Sequence, residues 1–356
     1  MGVTVTTLGL PAFGHQPDRV PDGMPADGPL IDTFGRVATD LRVSLTDRCN
    51  LRCTYCMPAE GLDWLPGDEL LTPDELTRLL RLAVTRLGIA NIRFTGGEPL
   101  LYRRLEEVVA ATAQLNPRPE IALTTNGVGL AARAKGLAAA GLDRVNVSLD
   151  TLDPEHFAAI TRRNRLDEVL DGLAAAASAG LGPIKVNAVL DPTTGPGDAV
   201  ELLRYCLRFG YQLRIIEQMP LDAGQQWSRA ATVSADTIEA TLRREFDLSV
   251  DPAPRGSAPA RLWLVDGGPA TVGIIASVSD AFCSACDRTR LTADGQIRNC
   301  LFATEETDLR QLLRSGADDA VLEAAWRTAM WRKAAGHGIN EPGFVQPQRP
   351  MSAIGG

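Results

Sequence analysis

Residues 41–60, LRVSLTDRCNLRCTYCMPAE, combine a predicted strand with a cysteine-rich loop. Apolar and polar residues alternate over residues 41–46, which is the pattern of a half-buried β-strand. The pattern ends before Cys49, Cys53 and Cys56, which are spaced C-x3-C-x2-C on the loop that must follow. The sequence therefore predicts a site with three thiols at the end of this strand.

Three thiols this close together can bind one metal centre. Cysteine thiolates hold iron–sulfur clusters, normally four to a cluster, so three would leave one iron of a four-iron cluster open to a small molecule. A structural zinc site usually takes C-x2-C pairs from two places, and it fits this spacing poorly. A redox dithiol made of Cys53 and Cys56 would leave Cys49 without a role. We therefore favour an iron–sulfur cluster.

This motif resembles the radical S-adenosylmethionine (SAM) superfamily, in which the three cysteines follow the first strand and an aromatic residue, here Tyr55, precedes the last of them. The resemblance implies that the open iron binds SAM, and that SAM cleavage gives a 5′-deoxyadenosyl radical that abstracts hydrogen from a substrate. Residues 95–99, TGGEP, follow a second predicted strand. They resemble the superfamily element that binds the amino group of SAM.

Composition indicates a globular protein of one large domain or two, since the chain has 356 residues, 45% of them hydrophobic and 22% charged. A net charge of -8 argues against general nucleic-acid binding. The seven cysteines form two tight groups plus Cys206, which suits metal sites in a reducing cytoplasm better than disulfides. We expect no membrane association, because no apolar run is long enough to span a bilayer.

Strands and helices alternate up to about residue 219, which predicts an α/β fold. The six predicted strands cover residues 41–46, 91–95, 121–125, 144–149, 184–190 and 213–217. Six strand–helix units are too few for a closed eight-stranded barrel, so we expect an incomplete (β/α)6 TIM-type barrel. Ligands should lie at the carboxyl ends of its strands.

The expected domain organisation has four parts. Residues 1–32 are rich in Pro, Gly and Asp and predict a flexible N-terminal extension. Residues 33–219 would form the partial barrel, and residues 220–340 a smaller α+β domain that carries the second cysteine group and closes the barrel mouth. A helix is predicted over residues 234–246, and a hairpin joins residues 261–265 to 270–275. Residues 341–356 form a C-terminal tail that ends in Gly-Gly.

The second cysteine group is Cys283, Cys286 and Cys300, spaced C-x2-C-x13-C. By itself it could be a zinc site with a distant fourth ligand, but beside an iron–sulfur loop a second cluster with an open iron is favoured. Arg288 and Arg290 follow Cys286 and alternate, so both side chains point the same way on an extended segment.

Five cations are candidates for binding a polyphosphate. Lys185 is flanked by apolar residues in the fifth strand, and a lysine that points into a barrel is rare unless it is paired. Arg42 and Arg93 lie in the first two strands. Together with the two arginines after Cys286 they predict an anionic ligand, since guanidinium forks suit phosphate oxygens.

From about residue 35 onward the chain is similar to the GTP 3′,8-cyclase family of molybdenum cofactor biosynthesis. The matching blocks, in chain order, are SLTDRCNLRCTYCMP, IRFTGGEPL, LTTNG, VNVSLD, KVN, RIIEQM, AFCSACDRTRL, NCLF and the terminal Gly355-Gly356. The resemblance implies two [4Fe-4S] clusters, the first held by Cys49, Cys53 and Cys56 and the second by Cys283, Cys286 and Cys300. It implies SAM contacts from Tyr55, Gly97, Ser148 and Met219. It implies GTP contacts from Arg42, Arg93, Thr124, Lys185, Arg288, Thr289 and Arg290.

The reaction that the resemblance implies starts with hydrogen abstraction from the 3′ carbon of GTP and ends in (8S)-3′,8-cyclo-7,8-dihydroguanosine 5′-triphosphate. Arg288, Arg290, Gly355 and Gly356 are the expected catalytic residues. The resemblance also implies a low-potential electron donor and a downstream cyclic pyranopterin monophosphate synthase, with the chain a monomer or homodimer.

Two other functions stay open on the sequence. One is a peptide-modifying radical SAM enzyme with an auxiliary cluster, although such enzymes usually carry more C-terminal cysteines than this chain. The other is an iron–sulfur electron carrier without a substrate, against which the GGEP element and the predicted inward cations argue. A small sulfur carrier with a Gly-Gly terminus is excluded by chain length.

Overall fold

A computed structural model describes residues 21–355 of the chain. Residues 1–20, which make up most of the predicted flexible extension, lie outside the described residues. Gly356, one of the predicted catalytic residues, lies outside them as well.

The described residues form fourteen strands and ten α-helices. The strands are β1 (Leu30–Ile31), β2 (Val37–Ala38), β3 (Asp40–Ser44), β4 (Asn91–Thr95), β5 (Glu120–Thr125), β6 (Arg144–Ser148), β7 (Lys185–Val189), β8 (Gln212–Ile216), β9 (Leu248–Val250), β10 (Arg261–Val265), β11 (Thr271–Ile275), β12 (Arg288–Leu291), β13 (Gln296–Arg298) and β14 (Thr307–Asp308). The helices are α1 (Pro73–Thr85), α2 (Leu105–Ala113), α3 (Leu130–Ala140), α4 (Pro154–Thr161), α5 (Leu166–Ser178), α6 (Gly195–Phe209), α7 (Ala235–Leu242), α8 (Leu309–Arg314), α9 (Asp319–Trp331) and α10 (Met351–Ile354).

All six strands predicted for the barrel are present and run in sequence order from β3 to β8, each parallel to the next. The helices between them provide the crossovers that parallel strands require. Because the strands are parallel, their carboxyl ends and the loops that follow meet at one edge of the sheet. The cysteine loop after β3 and the GGEP turn after β4 are therefore neighbours.

Residues beyond 219 add strands to both edges of this same sheet. β11 pairs in parallel with β8, and β12 pairs in parallel with β3, which gives eight parallel strands. Antiparallel strands continue the sheet outward, β10 and β9 on one side and β13 and β14 on the other. The predicted hairpin is present as β10 and β11, whereas the pairing of β12 with the first barrel strand was not predicted.

The helices bury their apolar faces against the sheet. In α1 the buried side chains lie on one helical face, and Thr72 and Glu75 form a capping box at its start. α7 is shorter than predicted and ends at Leu242, where Arg243 and the following turn take over. Among the described residues, no helix has the length and hydropathy of a membrane span.

The predicted flexible extension is wrong for its last residues. Leu30 and Ile31 form β1, and Leu30 is fully buried. The physical reason lies in α9, where the buried Arg327 donates to the carbonyl oxygens of Gly28, at 2.7 Å, and of Pro29, at 3.3 Å. A buried guanidinium needs such acceptors, and residues 28–29 supply them.

The turn after β4 packs directly on the loop that carries the first cysteines. The Gly97 amide donates to the carbonyl of Thr46 at 2.7 Å, and the Glu98 amide donates to that of Arg48 at 2.7 Å. A Cβ atom on Gly97 would lie 2.3 Å from the Arg48 carbonyl oxygen and 2.4 Å from that of Asp47. Only glycine leaves room for this approach.

The replacement Gly97→Ala should therefore lower the free energy of unfolding by about 3 kcal/mol, since the new methyl group overlaps backbone rather than a movable side chain. Thermal unfolding of the purified protein would measure the loss. Gly197→Ala in α6 is the matched control, because a Cβ there meets nothing within 4 Å. Equal melting temperatures for the two variants would contradict the close packing of this turn.

Candidate functional site

One cavity of about 840 Å³ lies at the carboxyl ends of the barrel strands and brings together nearly all the predicted site residues. Those that line it are Arg42, Cys49, Cys53, Tyr55, Cys56, Arg93, Gly97, Thr124, Ser148, Lys185, Met219, Cys283, Cys286, Arg288, Arg290 and Cys300. Both cysteine groups therefore face one space, and cationic side chains line it as well.

Thr289 lies apart from this lining. Its side chain is fully buried on the other face of β12, where its Oγ1 accepts a hydrogen bond from Trp326 Nε1 at 3.3 Å. This alternation is what a strand dictates, because Arg288 and Arg290 point into the cavity and the residue between them points away. Thr289 could reach a ligand through its backbone alone.

The first cysteine group lies on a tight loop with its own backbone hydrogen bonds. The amides of Cys56 and Met57 both donate to the Cys53 carbonyl at 3.0 Å. Asn126, at the end of β5, places its side-chain amide 3.7 Å from Cys49 Sγ. Burial raises the pKa of the Cys56 thiol to about 12. Binding of these thiols to a metal would therefore release protons.

Glu98 fastens the loops around this cysteine group. Its buried carboxylate accepts from the Leu100 amide at 2.9 Å, the Thr125 hydroxyl at 2.6 Å and the Asn126 amide at 2.7 Å. Burial raises the pKa of Glu98 to about 7 in spite of these hydrogen bonds. The acidic residue of the GGEP turn thus holds the end of β5 against the end of β4.

Tyr55 is fixed by the end of the fourth barrel strand. Its hydroxyl donates to Asp150 Oδ2 at 2.7 Å, and the other carboxylate oxygen accepts from the Val189 amide at 2.8 Å. Burial raises the pKa of Asp150 to about 6. With its hydroxyl occupied, Tyr55 has its ring and backbone available to a ligand in the cavity.

The second cysteine group is supported by two cations. The buried Lys333 places Nζ 3.3 Å from Cys286 Sγ and donates to the carbonyls of Cys286 and Arg288. Burial opposes ionisation of Cys286, but Arg288 and Lys333 outweigh it and lower the pKa of that thiol to about 7. Arg36 donates to the Cys283 carbonyl at 2.8 Å and so fixes the start of the loop.

Three arginines stand side by side on neighbouring strands. Arg290 of β12 is in register with Arg42 of β3, which is in register with Arg93 of β4, and all three face the cavity. Adjacent strands lie about 4.8 Å apart, so like charges in register repel each other. Burial, together with the charge of Arg42, lowers the pKa of both Arg93 and Arg290 to about 9. We call these three residues the arginine row.

Asp40 is a carboxylate that faces this row. Its oxygens lie 3.7 Å from Arg42 Nε and 3.9 Å from Arg93 Nη2, and Arg288 is its register partner on β12. Burial alone would raise the pKa of Asp40, but Arg42 and Arg93 outweigh burial and hold it below its usual value. Asp287 is a second carboxylate, with Oδ1 3.7 Å from Arg288 Nε, so four arginines outnumber two carboxylates and the wall of the cavity keeps a net positive charge.

Lys185 continues the positive wall on β7. Burial lowers its pKa to about 8, and the charges of Arg144 and Arg214 act in the same direction. Arg214 is itself buried on β8 and uses its guanidinium to bond the Leu213 carbonyl at 2.9 Å and Gln212 Oε1 at 3.0 Å.

Several buried polar atoms of this wall have no hydrogen-bond partner among the described residues. They include Arg42 Nε, Arg93 Nε, Arg288 Nε, Asn146 Oδ1 and Ser44 Oγ. Buried donors without acceptors are costly, and native sites rarely leave them unmatched. Three guanidinium donors of this kind in one cavity fit a ligand that carries several anionic oxygens.

The C-terminal tail enters the same region. Gly355 accepts a hydrogen bond from Arg290 Nη1 through its carbonyl. A Cβ atom on Gly355 would lie 2.5 Å from Ser44 Oγ, and the residue has a φ of +74°. Both the space and the backbone conformation require glycine there. Gly355 therefore lies against Ser44 and Arg290, while a catalytic role for the tail stays a prediction.

Both cysteine groups fit iron–sulfur clusters in their donor chemistry. Each offers three half-buried thiols to the cavity. Within residues 21–355, no three His, Cys, Asp or Glu side chains are grouped as ligands of one metal ion. Cluster ligands bind separate irons and do not have to meet at one ion, so this finding is compatible with a cluster.

Sequence reasoning missed Asp40 and Lys333. Asp40 lies two residues before Arg42, so the strand period alone puts both on one face, and this signal was available. Lys333 follows α9, and no local pattern connects it with Cys286, 47 residues away in the chain.

Two family models match the chain. The model of the radical SAM superfamily matches residues 43–206, and the model described as Molybdenum Cofactor Synthesis C matches residues 211–339. The first covers the barrel strands up to β7, and the second covers the strands that extend the sheet at both edges.

Among solved structures, the chain is similar to SuiB of Streptococcus suis bound to S-adenosylmethionine. The TM-score is 0.54 at 13% identity, and the match covers 84% of this chain and 75% of that one. At this identity the likeness concerns the fold, which is the partial TIM barrel of radical SAM proteins.

Relatives of the chain are much closer in sequence. GTP 3′,8-cyclase of Mycobacterium sp. (strain KMS) is 73% identical over 99% of this chain and all of the relative. GTP 3′,8-cyclases of Mycobacterium marinum and Mycolicibacterium smegmatis are 71% and 70% identical, with the same coverage. The chain therefore belongs to the GTP 3′,8-cyclase family of the radical SAM superfamily.

Proposed function

We propose that this chain converts GTP into (8S)-3′,8-cyclo-7,8-dihydroguanosine 5′-triphosphate, an early step of molybdenum cofactor biosynthesis. The observation that carries the proposal is one cavity that is lined both by two three-cysteine groups and by the arginine row. A radical source and a polyphosphate must meet in this reaction, and the cavity offers a place for each.

The two cysteine groups would each hold a [4Fe-4S] cluster, the first through Cys49, Cys53 and Cys56 and the second through Cys283, Cys286 and Cys300. When bound, the first cluster and SAM supply the electron and the carbon radical that abstracts hydrogen from the 3′ position of the ribose. The protein positions the reactants, excludes water and neutralises charge.

SAM would lie beside the first cysteine group, in contact with Tyr55, Gly97, Ser148 and Met219. Their positions on the cavity wall support this assignment. Gly97 presents backbone without a side chain, and Tyr55 is held in place by Asp150. Such fixed neighbours favour one bound conformation of the methionine and ribose parts of SAM.

GTP would lie between SAM and the second cysteine group, with its triphosphate on the positive wall. Arg42, Arg93, Lys185, Arg288 and Arg290 would bind phosphate oxygens through charge-assisted hydrogen bonds. Thr124 would contribute its hydroxyl and Thr289 its backbone. The triphosphate would satisfy buried guanidinium donors that are otherwise unmatched.

Arg288, Arg290, Gly355 and Gly356 would act in the catalytic steps after hydrogen abstraction. The positive charges of these two arginines would also stabilise the added electron during the final reduction. The bond from Arg290 to the Gly355 carbonyl supports a role for the tail in directing that guanidinium.

The domain assignment belongs to the same proposal. Residues 33–219 would form the radical SAM barrel, and residues 220–340 would close its mouth and hold the second cluster, followed by the tail of residues 341–356. The lining of the cavity by Arg255, Phe282 and their neighbours supports closure from this side. We place the enzyme in the cytoplasm as a monomer or homodimer, with a low-potential electron donor and with cyclic pyranopterin monophosphate synthase as the consumer of its product.

Isotope transfer tests the proposed reaction. The reconstituted protein, kept anaerobic with reductant, should move deuterium from the ribose 3′ carbon of labelled GTP into 5′-deoxyadenosine. Mass spectrometry of 5′-deoxyadenosine reads this directly. Unlabelled 5′-deoxyadenosine would contradict abstraction from that carbon, and no 5′-deoxyadenosine with both clusters intact would favour an electron carrier.

We expect the arginine row to strengthen GTP binding and to lower the stability of the nucleotide-free protein. Arg93→Met is expected to weaken GTP binding by about 10- to 100-fold, which is the loss of one or two charge-assisted hydrogen bonds. The melting temperature of the nucleotide-free protein should stay equal or rise, because one of three buried like charges is removed. Anaerobic calorimetric titration and thermal unfolding measure the two effects.

The control for the row is Arg81→Met on the exposed side of α1, which should change neither quantity. A fall in melting temperature without any loss of GTP binding would assign Arg93 a purely structural role.

Binding of GTP should also weaken as the pH rises through about 8. The pKa of Lys185 is lowered to about 8, first by burial and then by Arg144 and Arg214. A bound triphosphate favours the protonated lysine, so above this pH the free protein must take up a proton to bind. The dissociation constant should rise up to about tenfold per pH unit for one proton. Titrations at increasing pH would measure it, and Lys185→Arg, whose charge persists, should remove the part of the dependence that Lys185 causes.

A further inference from the structure

Arg349 joins the C-terminal tail to the β12–β13 region through two carboxylates. Its guanidinium donates to Asp294 at 3.0 and 2.7 Å and lies 2.9 Å from Glu306. The Asp294 side chain is 8% exposed and also accepts from the Thr292 hydroxyl at 2.6 Å. Glu306 is shared with Arg298, which is buried. A planar fork on a carboxylate fixes direction as well as distance.

The residues that follow Arg349 make several contacts with the rest of the protein. The Met351 amide donates to the Leu221 carbonyl at 3.0 Å. Ser352 is buried and lines the same cavity as Cys56, a residue of the first cysteine group. Ile354 is buried in an apolar cluster with Leu221, Val278, Phe302 and Ile339. Gly355 then accepts from Arg290.

The link between Arg349 and this segment is short and stiff. Pro350 stands directly between Arg349 and α10, with a φ of -72° that its ring fixes. A change in the direction of Arg349 is therefore carried into α10 and cannot be absorbed by a flexible loop.

The Arg349 contact differs from the ordinary surface ion pairs of the protein. The side chain of Arg349 is 27% exposed and has two carboxylate partners, one of them buried. Arg204 also bonds two carboxylates, Glu201 and Glu245, but its side chain is 50% exposed and those of its partners 60% and 46%. Exposed pairs of the second kind contribute little to stability, whereas a half-buried bidentate fork can hold a segment in place.

We propose that Arg349 is a positioning residue that fastens the terminal segment, residues 349–355, so that Ser352 lies on the cavity wall and Gly355 reaches Arg290. Its effect on turnover rests on the proposed function, whereas its effect on the segment does not. Arg349 does not line the cavity itself, and it acts by holding Met351 and Ser352, which do.

Hydrogen exchange of the holoenzyme tests whether Arg349 holds the terminal segment in place. In Arg349→Ala, backbone amides of residues 351–355 should exchange about tenfold faster or more, because the segment opens locally more often. Peptides from the barrel strands should be unchanged. Arg349→Lys keeps the charge without the fork and should give an intermediate rate. Arg204→Ala is the matched control and should leave the tail unaffected.

Coupling of the reaction provides the second readout. Arg349→Ala should cleave SAM at a near-normal rate but give several-fold less cyclised product for each 5′-deoxyadenosine, with Arg349→Lys between it and the parent. General destabilisation would lower both quantities together. Unchanged exchange of residues 351–355 in Arg349→Ala, or in Arg349→Lys if the alanine variant does not fold, would overturn the proposal. If the parent gives no cyclised product, the proposed function fails while the exchange experiment still decides the role of Arg349.

Discussion

The repulsion within the arginine row is the constraint on which much of the structure depends. Arg290, Arg42 and Arg93 occupy one level of three adjacent strands, and their charges can be held there only by a sheet that is stable for other reasons. That stability comes from the apolar core between the parallel strands and their helices, where residues such as Leu41, Ile92 and Leu123 are almost completely buried. Asp40 reduces the repulsion without abolishing it. A protein that retains unmatched positive charge in its interior is preorganised for an anionic ligand, because binding then relieves a cost that folding has already incurred.

The cavity is a joint product of both halves of the chain. The first half supplies the parallel strands, the first cysteine loop and two arginines of the row. The second half supplies β12, which brings Arg288 and Arg290 beside β3, and β11, which lies beside β8 at the other edge. The residues between β11 and β12 carry Cys283 and Cys286 on a loop supported by Arg36 and Lys333, and Cys300 follows β13. Two family models divide the chain near residue 210, yet the sheet runs continuously across that division.

Much of this could be predicted from the sequence, because the relevant signals are local. Alternating strands and helices, the capping box at Thr72 and the inward direction of Arg288 and Arg290 all follow from periodicities within a few residues. The pairing of β12 with β3 could not be predicted in this way, since it joins residues about 250 positions apart through a short strand. The same holds for Lys333 beside Cys286. The extension was predicted wrongly at Leu30 because it is rich in Pro, Gly and Asp, and the decisive contact is a buried arginine on α9.

The register between β12 and β3 also has a consequence for the order of events during synthesis. Asp40 meets Arg288 of β12 only when Arg288 has left the ribosome, so the arginine row and the second cysteine loop assemble after most of the chain has been made. The barrel strands β3 to β8 can pair earlier, since their neighbours follow one another in sequence. A nascent chain thus exposes the first cysteine loop for some time before the residues that enclose it exist. Iron delivery and protection from oxygen in the cell must act either on this open intermediate or on the completed chain. Because the paired residues are far apart in sequence, the relative rates of synthesis, folding and cluster assembly decide between the two.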